Sequence, residues 1–89
     1  MLKSDIIIIN KLGLHARAAA KFVNLASGFD SEVSLSRNGH TVNGKSIMGV
    51  MMLAAAKGVT LQLMTDGSDE ERAHQQLEQL VAERFGEEE

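Results

Sequence analysis

The dipeptide Asn38-Gly39 constrains the fold of this chain more than any other local feature. It separates a stretch in which polar and apolar residues alternate, Ser31 to Arg37, from a second short stretch, His40 to Asn43. Asn-Gly favours a two-residue turn with positive φ at both positions, and such a turn pairs its flanking segments antiparallel. With this turn length Leu35 lies opposite Val42, so the apolar faces of the two strands coincide. The pattern therefore predicts a β-hairpin of fixed register.

Hydrophobic periodicity and helix-terminal residues predict the other elements. Before the hairpin they are a strand over Ile6–Ile9 and a helix from Ala16 to about Ser27, with Gly28 at its C′ position. After the hairpin a short helix runs from Ile47 to about Leu53 with Ser46 as its N-cap, and a strand follows over Val59–Thr65. The last helix begins in a capping box at Ser68–Glu71, and its apolar stripe ends at Phe85. The order β-α-β-β-α-β-α favours an α+β fold, one sheet with helices covering one face. Sequence patterns do not fix the strand order.

Length and composition narrow the class of protein. The 89 residues are enough for one small domain, so we expect a single domain over 1–89. There is no cysteine, which excludes disulfides and thiolate chemistry. The first residues lack the pattern of a signal peptide, and the longest apolar stretch, Val50–Ala56, is far below the ~20 residues that span a bilayer. We therefore expect a cytoplasmic protein with no membrane insertion.

The charge is unevenly distributed along the chain. Between Ile6 and Thr60 there are six basic residues and two acidic ones, whereas the remainder has three basic and ten acidic residues. The net charge of −3 and the absence of Trp and Tyr argue against nucleic-acid binding, which favours basic chains with aromatic stacking surfaces. A basic region fits docking to an acidic protein surface, and a scattered, solvated set of basic side chains is the alternative.

His15 stands where the first helix should begin, in place of a capping residue. Helix starts prefer Ser, Thr, Asp or Asn, and none of these occurs between Lys11 and Phe22. The first backbone N–H groups of the helix, including those of Ala16 and Arg17, should then be free beside an imidazole. Free amides, the helix dipole and a nearby guanidinium suit an anion, such as a phosphoryl group carried on the ring.

Two segments carry a resemblance to a known family. Gly13-Leu14-His15-Ala16-Arg17, followed by Ala19 to Val23, and then Asn43 to Met51, resemble the two signature segments of HPr. HPr is the histidine-containing phosphocarrier of the bacterial phosphoenolpyruvate-dependent phosphotransferase system. The resemblance covers nearly the whole chain, and it implies an open-faced β-sandwich of four antiparallel strands with three helices on one face.

The resemblance also implies a function. Phosphorylated enzyme I would donate a phosphoryl group to Nδ1 of His15, and the group would pass to a histidine of an enzyme IIA domain in sugar uptake or metabolic regulation. The chain would be a carrier rather than an enzyme, a monomer that needs no cofactor and no metal. Arg17 and the amides of Ala16 and Arg17 would stabilise the phosphoryl oxygens.

The family assigns further roles in the second segment. Ser46 matches a serine that an HPr kinase/phosphorylase modifies in many bacteria, and its local role as an N-cap is compatible with that use. Ile47 and Met48 match an exposed apolar docking patch, and Lys45 and Lys21 would add charge to the docking surface. Most members have proline where this chain has Ala18, which should loosen the first helical turn slightly.

Other interpretations stay open. A regulatory binding module of the same fold, docking to a kinase or a transcription factor, is the alternative function. An independent hydrolase is poorly supported because no acid–base pair is evident around His15. We expect His40 and His74 to lie on the surface, either Met51 or Leu53 to face inward, and the segment Glu87–Glu89 to be frayed.

Overall fold

Four strands form one antiparallel sheet, and three helices cover one of its faces. The computed structural model describes residues 1–89. In chain order the elements are β1 (Leu2–Ile7), α1 (Ala16–Ser27), β2 (Glu32–Arg37), β3 (His40–Asn43), α2 (Ile47–Met52), β4 (Thr60–Asp66) and α3 (Glu70–Ala82), followed by a single 3-10 turn over Arg84–Gly86. The predicted α+β order of elements is confirmed.

The sheet has the strand order β1-β4-β2-β3. The hairpin register is the predicted one, with Leu35 opposite Val42. Its turn uses positive φ at both central residues, 51° at Asn38 and 83° at Gly39. β4 lies between β1 and β2, so the strand nearest the end of the chain pairs with the first strand. That long-range pairing places α3 beside β1.

The core lies between the sheet and the helices. β4 alternates between buried Leu61, Leu63 and Thr65 and exposed Thr60 and Gln62, as expected for a strand with one covered face. The facing stripe of α1 follows helical spacing and consists of Ala18, Ala19, Phe22, Val23 and Ala26. Packing of this stripe on the sheet fixes where α1 begins relative to the rest of the molecule.

The first strand begins earlier than predicted. We expected Ile6–Ile9, but β1 spans Leu2–Ile7, and Ile8 follows it as a fully buried residue. The prediction was wrong because it counted only apolar residues as core-facing. Ser4 takes such a position, opposite Leu63. Hydrogen bonds make a half-buried hydroxyl acceptable at that position.

His74 is buried, which corrects the expectation that it lies on the surface. Its side chain bonds the Ser4 hydroxyl through Nε2 at 2.7 Å and the Thr65 hydroxyl through Nδ1 at 3.0 Å. Ser4 also donates to the Glu78 carboxylate at 2.8 Å. The network joins β1, β4 and α3, and its partners come from three distant parts of the chain. His40 is exposed, as predicted.

Three helix ends differ from the prediction. Gly28 has φ −77°, so α1 ends without a left-handed residue. Asp69, not Ser68, precedes α3, and no side chain caps that helix, because the Asp69 carboxylate bonds the loop before β2 instead. α3 ends at Ala82, and Phe85 reaches the core from the following turn with φ 55° rather than from the helix.

Candidate functional site

His15 is the N-cap residue of α1, with an extended backbone. Its carbonyl oxygen accepts the first helical hydrogen bond, from the Ala19 amide at 2.8 Å. The imidazole makes no capping bond, and no atom of the protein accepts from the backbone N–H groups of Ala16, Arg17 and Ala18. This is the uncapped helix start that the sequence predicted, with three amides left for an external acceptor.

The connection that leads into α1 is fixed by tertiary contacts. Gly13 has φ 68°, and a Cβ atom there would lie 2.5 Å from the Ala55 carbonyl oxygen and 2.9 Å from Ala56 Cα. The next amide, that of Leu14, donates to the same Ala55 oxygen at 2.9 Å, and the Leu14 side chain is buried. A residue larger than glycine would move this connection and the His15 backbone with it.

The His15 ring is accessible but not free. Its side chain is 28% exposed, and Nε2 lies 2.5 Å from Glu87 Oε2. The other Glu87 oxygen accepts from Asn10 Nδ2 at 2.9 Å. We expected the segment Glu87–Glu89 to be frayed, and this was wrong. Glu87 contacts His15, and the Lys11 amide donates to the Glu89 carbonyl. The expectation that no acid–base partner lies beside His15 was also wrong.

Glu87 is held as an ionised carboxylate. The hydrogen bonds that Glu87 accepts from Asn10 and from His15 lower the pKa of the Glu87 carboxyl below its ordinary value, against an opposing effect of desolvation. Asn10 itself is completely buried and also donates to the Gly13 carbonyl oxygen at 2.8 Å. A buried amide thus links the connection before α1 to the carboxylate beside His15.

Arg17 lies on the exposed side of the site. No hydrogen bond or ion pair within the protein holds its guanidinium. It lines an open cleft next to His15. The other residues that line this cleft are Lys11, Leu12, Glu87, Glu88 and Glu89. An unpaired guanidinium at the mouth of this cleft can reach an anion that enters from solvent.

Two lysines predicted for docking have intramolecular acceptors. Lys21 Nζ donates to the Phe85 carbonyl oxygen at 2.7 Å, and Lys45 Nζ donates to the Phe29 carbonyl oxygen at 2.7 Å. Each ammonium group keeps further N–H donors. Lys21 therefore holds the turn after α3 against α1 as well as carrying surface charge.

Ser46 is the N-cap of α2, as predicted. Its hydroxyl accepts from the Gly49 amide at 3.1 Å, and its carbonyl accepts from the Val50 amide at 2.9 Å. The helix that it starts exposes a group of large apolar side chains: Ile47, Met48, Met51 and Met52, which are 42%, 73%, 40% and 68% exposed. Leu53 is the residue that faces inward, at 3% exposure.

Sequence reasoning missed Glu87 and Asn10. No local pattern marks either residue as part of the site, because Glu87 lies 72 positions from His15 along the chain. The contact exists only because Phe85 enters the core and the chain then turns back towards α1. The uncapped start of α1 at His15, with the free amides of Ala16 and Arg17, could be predicted because a helix start is a local feature.

The fold and the site together define a class of protein: a small open-faced β-sandwich with an accessible histidine at an uncapped helix start. A family model described as "PTS HPr component phosphorylation site" matches residues 2–83. The chain belongs to the HPr family of phosphocarrier proteins. None of its helices has the length and apolar character required to cross a membrane.

Relatives of similar length share most of the sequence. The chain is 61% identical over 87 residues to the phosphocarrier protein HPr of Cupriavidus necator, covering 98% of both chains. It is 60% identical over 87 residues to HPr of Neisseria meningitidis, again with 98% of each chain covered. The crystal structure of HPr from Thermoanaerobacter tengcongensis matches with a TM-score of 0.96 and 45% identity over the whole of both chains. The expected open-faced sandwich is therefore confirmed.

Proposed function

We propose that His15 accepts a phosphoryl group from phosphorylated enzyme I and passes it to a histidine of an enzyme IIA domain. The observation that carries this proposal is that the backbone N–H groups of Ala16 and Arg17 have no acceptor and lie beside a solvent-accessible imidazole. These amides and the positive end of the α1 dipole suit a phosphoryl group, which brings negative charge and three acceptor oxygens. The chain acts as a carrier in the cytoplasm, with 1–89 as one functional unit, and not as an enzyme in its own right.

Arg17 acts with the amides. Its guanidinium is exposed and has no partner in the protein, so no existing ion pair must break before it contacts a phosphoryl oxygen. The amides of Ala16 and Arg17 are fixed by the helix, whereas the Arg17 side chain can follow the group as it moves between partners. Phosphoryl transfer depends mainly on such positioning and electrostatic stabilisation.

The surface that meets partners is the exposed apolar face of α2 with the basic residues around it. Ile47 and Met48 supply apolar contact, and flexible methionines suit several partners that meet one surface. Lys45 and Lys21 supply positive charge for acidic partners. The 73% exposure of Met48 means that Met48→Ser should weaken transfer from enzyme I without loss of thermal stability.

Ser46 is proposed as a regulatory site for an HPr kinase/phosphorylase. A phosphate there would lie at a helix start, where the fold tolerates negative charge. It would also place about two negative charges beside Lys45 and the apolar face of α2. Modification should therefore weaken docking of an acidic partner and leave the fold intact.

Labelling with purified enzyme I and phosphoenolpyruvate tests the proposal. The protein should gain one phosphate that is labile in acid and stable in alkali, and His15→Ala should remove it. His40→Ala is the matched control, because His40 is an exposed histidine in the hairpin and should leave labelling unchanged. Failure of the intact protein to label would contradict the carrier function and favour a regulatory binding module. Light scattering of the unlabelled protein tests the proposed monomeric state.

A further inference from the structure

Glu87 is the side chain in contact with the ring of His15, and it touches only one of the two ring nitrogens. Glu87 Oε2 lies 2.5 Å from Nε2, whereas Nδ1 has no hydrogen-bond partner in the protein. The two ring nitrogens therefore stand in different environments. One faces a carboxylate and the other is open.

The Glu87 carboxylate is placed by buried groups. Phe85 is fully buried, and its carbonyl oxygen accepts from Lys21 Nζ at 2.7 Å, so the chain just before Glu87 is fixed to the core and to α1. Asn10, also fully buried, donates to Glu87 Oε1 at 2.9 Å. These contacts position the carboxylate, and the Glu87 side chain is only 18% exposed.

The contact determines where the ring proton lies. An ionised carboxylate only accepts hydrogen bonds, so the nitrogen that faces it must carry a hydrogen. The lowered pKa of the Glu87 carboxyl agrees with this state. With hydrogen on Nε2, a neutral imidazole has its lone pair on Nδ1.

We propose that Glu87 is a positioning residue that holds His15 in its Nε2–H tautomer and so makes Nδ1 the nitrogen that takes the phosphoryl group. This inference rests on the proposed carrier function and adds to it a residue outside both signature segments. It assigns to the end of the chain a direct role at a site that the sequence places near its beginning.

The transfer step balances without moving a proton. The Nδ1 lone pair forms the new N–P bond while the bond between phosphorus and the donor histidine nitrogen breaks, and its electron pair stays on that donor nitrogen. The ring keeps its Nε2–H and gains positive charge as the bond forms. Glu87 faces that charge through the same hydrogen bond and so stabilises the phosphorylated ring more than the free one.

Glu87→Gln removes this function with little change in shape. Asn10 and His15 both donate to Glu87 in the native protein, but a glutamine offers one acceptor oxygen and one NH2 group. When the oxygen faces Asn10, the NH2 group faces Nε2 and favours hydrogen on Nδ1 instead. Glu88→Gln is the matched control, because Glu88 is exposed and makes no hydrogen bond, yet loses the same charge.

The readout is the 15N spectrum of the His15 ring near neutral pH, which distinguishes the two tautomers without any phosphoryl donor. The wild type and Glu88→Gln should show hydrogen on Nε2, and Glu87→Gln should shift the tautomer ratio towards Nδ1–H by roughly tenfold or more, the range expected for loss of a hydrogen bond to a charged group. An unchanged ratio in Glu87→Gln would overturn the inference. A wild-type ring with hydrogen on Nδ1 would overturn it without any variant.

Chemical labelling with phosphoramidate, a small donor that needs no enzyme I, separates this inference from the carrier function. 31P spectra should place the group on Nδ1 in the wild type and in Glu88→Gln, with product on Nε2 appearing in Glu87→Gln. Labelling confined to Nδ1 in all three proteins would contradict the role of Glu87. If enzyme I fails to label the wild type while the tautomer shift is observed, the carrier function fails and the effect of Glu87 on the ring stands.

Discussion

The Asp69 carboxylate accepts two hydrogen bonds from Ser31, one from its amide at 2.9 Å and one from its hydroxyl. It accepts a third from the Asp30 amide at 2.9 Å. Asp69 precedes α3 and Ser31 precedes β2, so one side chain joins two connections that are 38 residues apart. Because its carboxylate is turned towards this loop, Asp69 does not cap α3, and the predicted cap at Ser68 does not form either.

Asp69→Asn should lower stability in a way that depends on pH. Hydrogen bonds from Ser31 and Asp30 lower the pKa of the Asp69 carboxyl to about 2, against an ordinary value of about 3.9. Because the folded pKa is depressed, the stabilisation is present above about pH 4 and is lost as the pH falls towards 2. Urea midpoints should therefore differ between wild type and variant at pH 7 and converge near pH 2.

Glu71→Gln is the control for Asp69→Asn. Glu71 is an exposed acid in the first turn of α3. Its substitution therefore measures only the effect of losing a negative charge near the positive end of the helix dipole. If the urea midpoints of Asp69→Asn and the wild type differ by the same amount at every pH, the ionised Asp69 carboxylate does not stabilise the fold as stated.

Gly13→Ala should destabilise the protein more than Gly39→Ala. Both glycines have positive φ, 68° and 83°, so each substitution costs about 1–2 kcal/mol of backbone strain. At Gly39 nothing lies within 4 Å of the new Cβ, whereas at Gly13 the Ala55 carbonyl oxygen lies at 2.5 Å. Overpacking against backbone adds about 1–3 kcal/mol. Urea unfolding measures the difference, and equal losses for the two variants would show that the connection before α1 can move freely.

Substitutions of Ser46 should separate its structural role from its proposed regulatory one. Ser46→Ala removes the hydroxyl that accepts from Gly49, so it should cost about 1 kcal/mol in unfolding free energy. Ser46→Asp retains a capping side chain and should keep near-wild-type stability, while slowing phosphate uptake from enzyme I. Ser68→Asp adds the same charge at an exposed position before α3 and should leave uptake unchanged. Uptake by Ser46→Asp at the wild-type rate would argue against inhibition.

Ala18→Pro should stabilise the protein and retain transfer. The Ala18 amide has no acceptor in the protein, so proline loses no helical hydrogen bond. Proline at a compatible position restricts the unfolded chain and should add about 0.5–1 kcal/mol. Thermal unfolding and labelling with enzyme I measure the two effects, and loss of transfer would mean that the Ala18 amide itself holds the phosphoryl group.

The features that local sequence predicted are those whose physical cause is local. The Asn38-Gly39 turn set the hairpin register, because turn geometry and side-chain alternation act within a few residues. The uncapped start at His15 was also readable, since capping depends on the residue types within one helical turn. Ser46 as N-cap follows the same rule.

The tertiary structure decided what depends on residues far apart in the chain. His74 is buried because Ser4 and Thr65 supply hydroxyl partners from β1 and β4, and a polar side chain with partners can enter a core. Glu87 reaches His15 because the turn after α3 inserts Phe85 into the core. Both outcomes require β1 to pair with β4, which places α3 beside the first strand, and no local propensity specifies that pairing. The sequence by itself determined where the proposed phosphoryl-accepting histidine lies, and only the folded chain determined which carboxylate faces it.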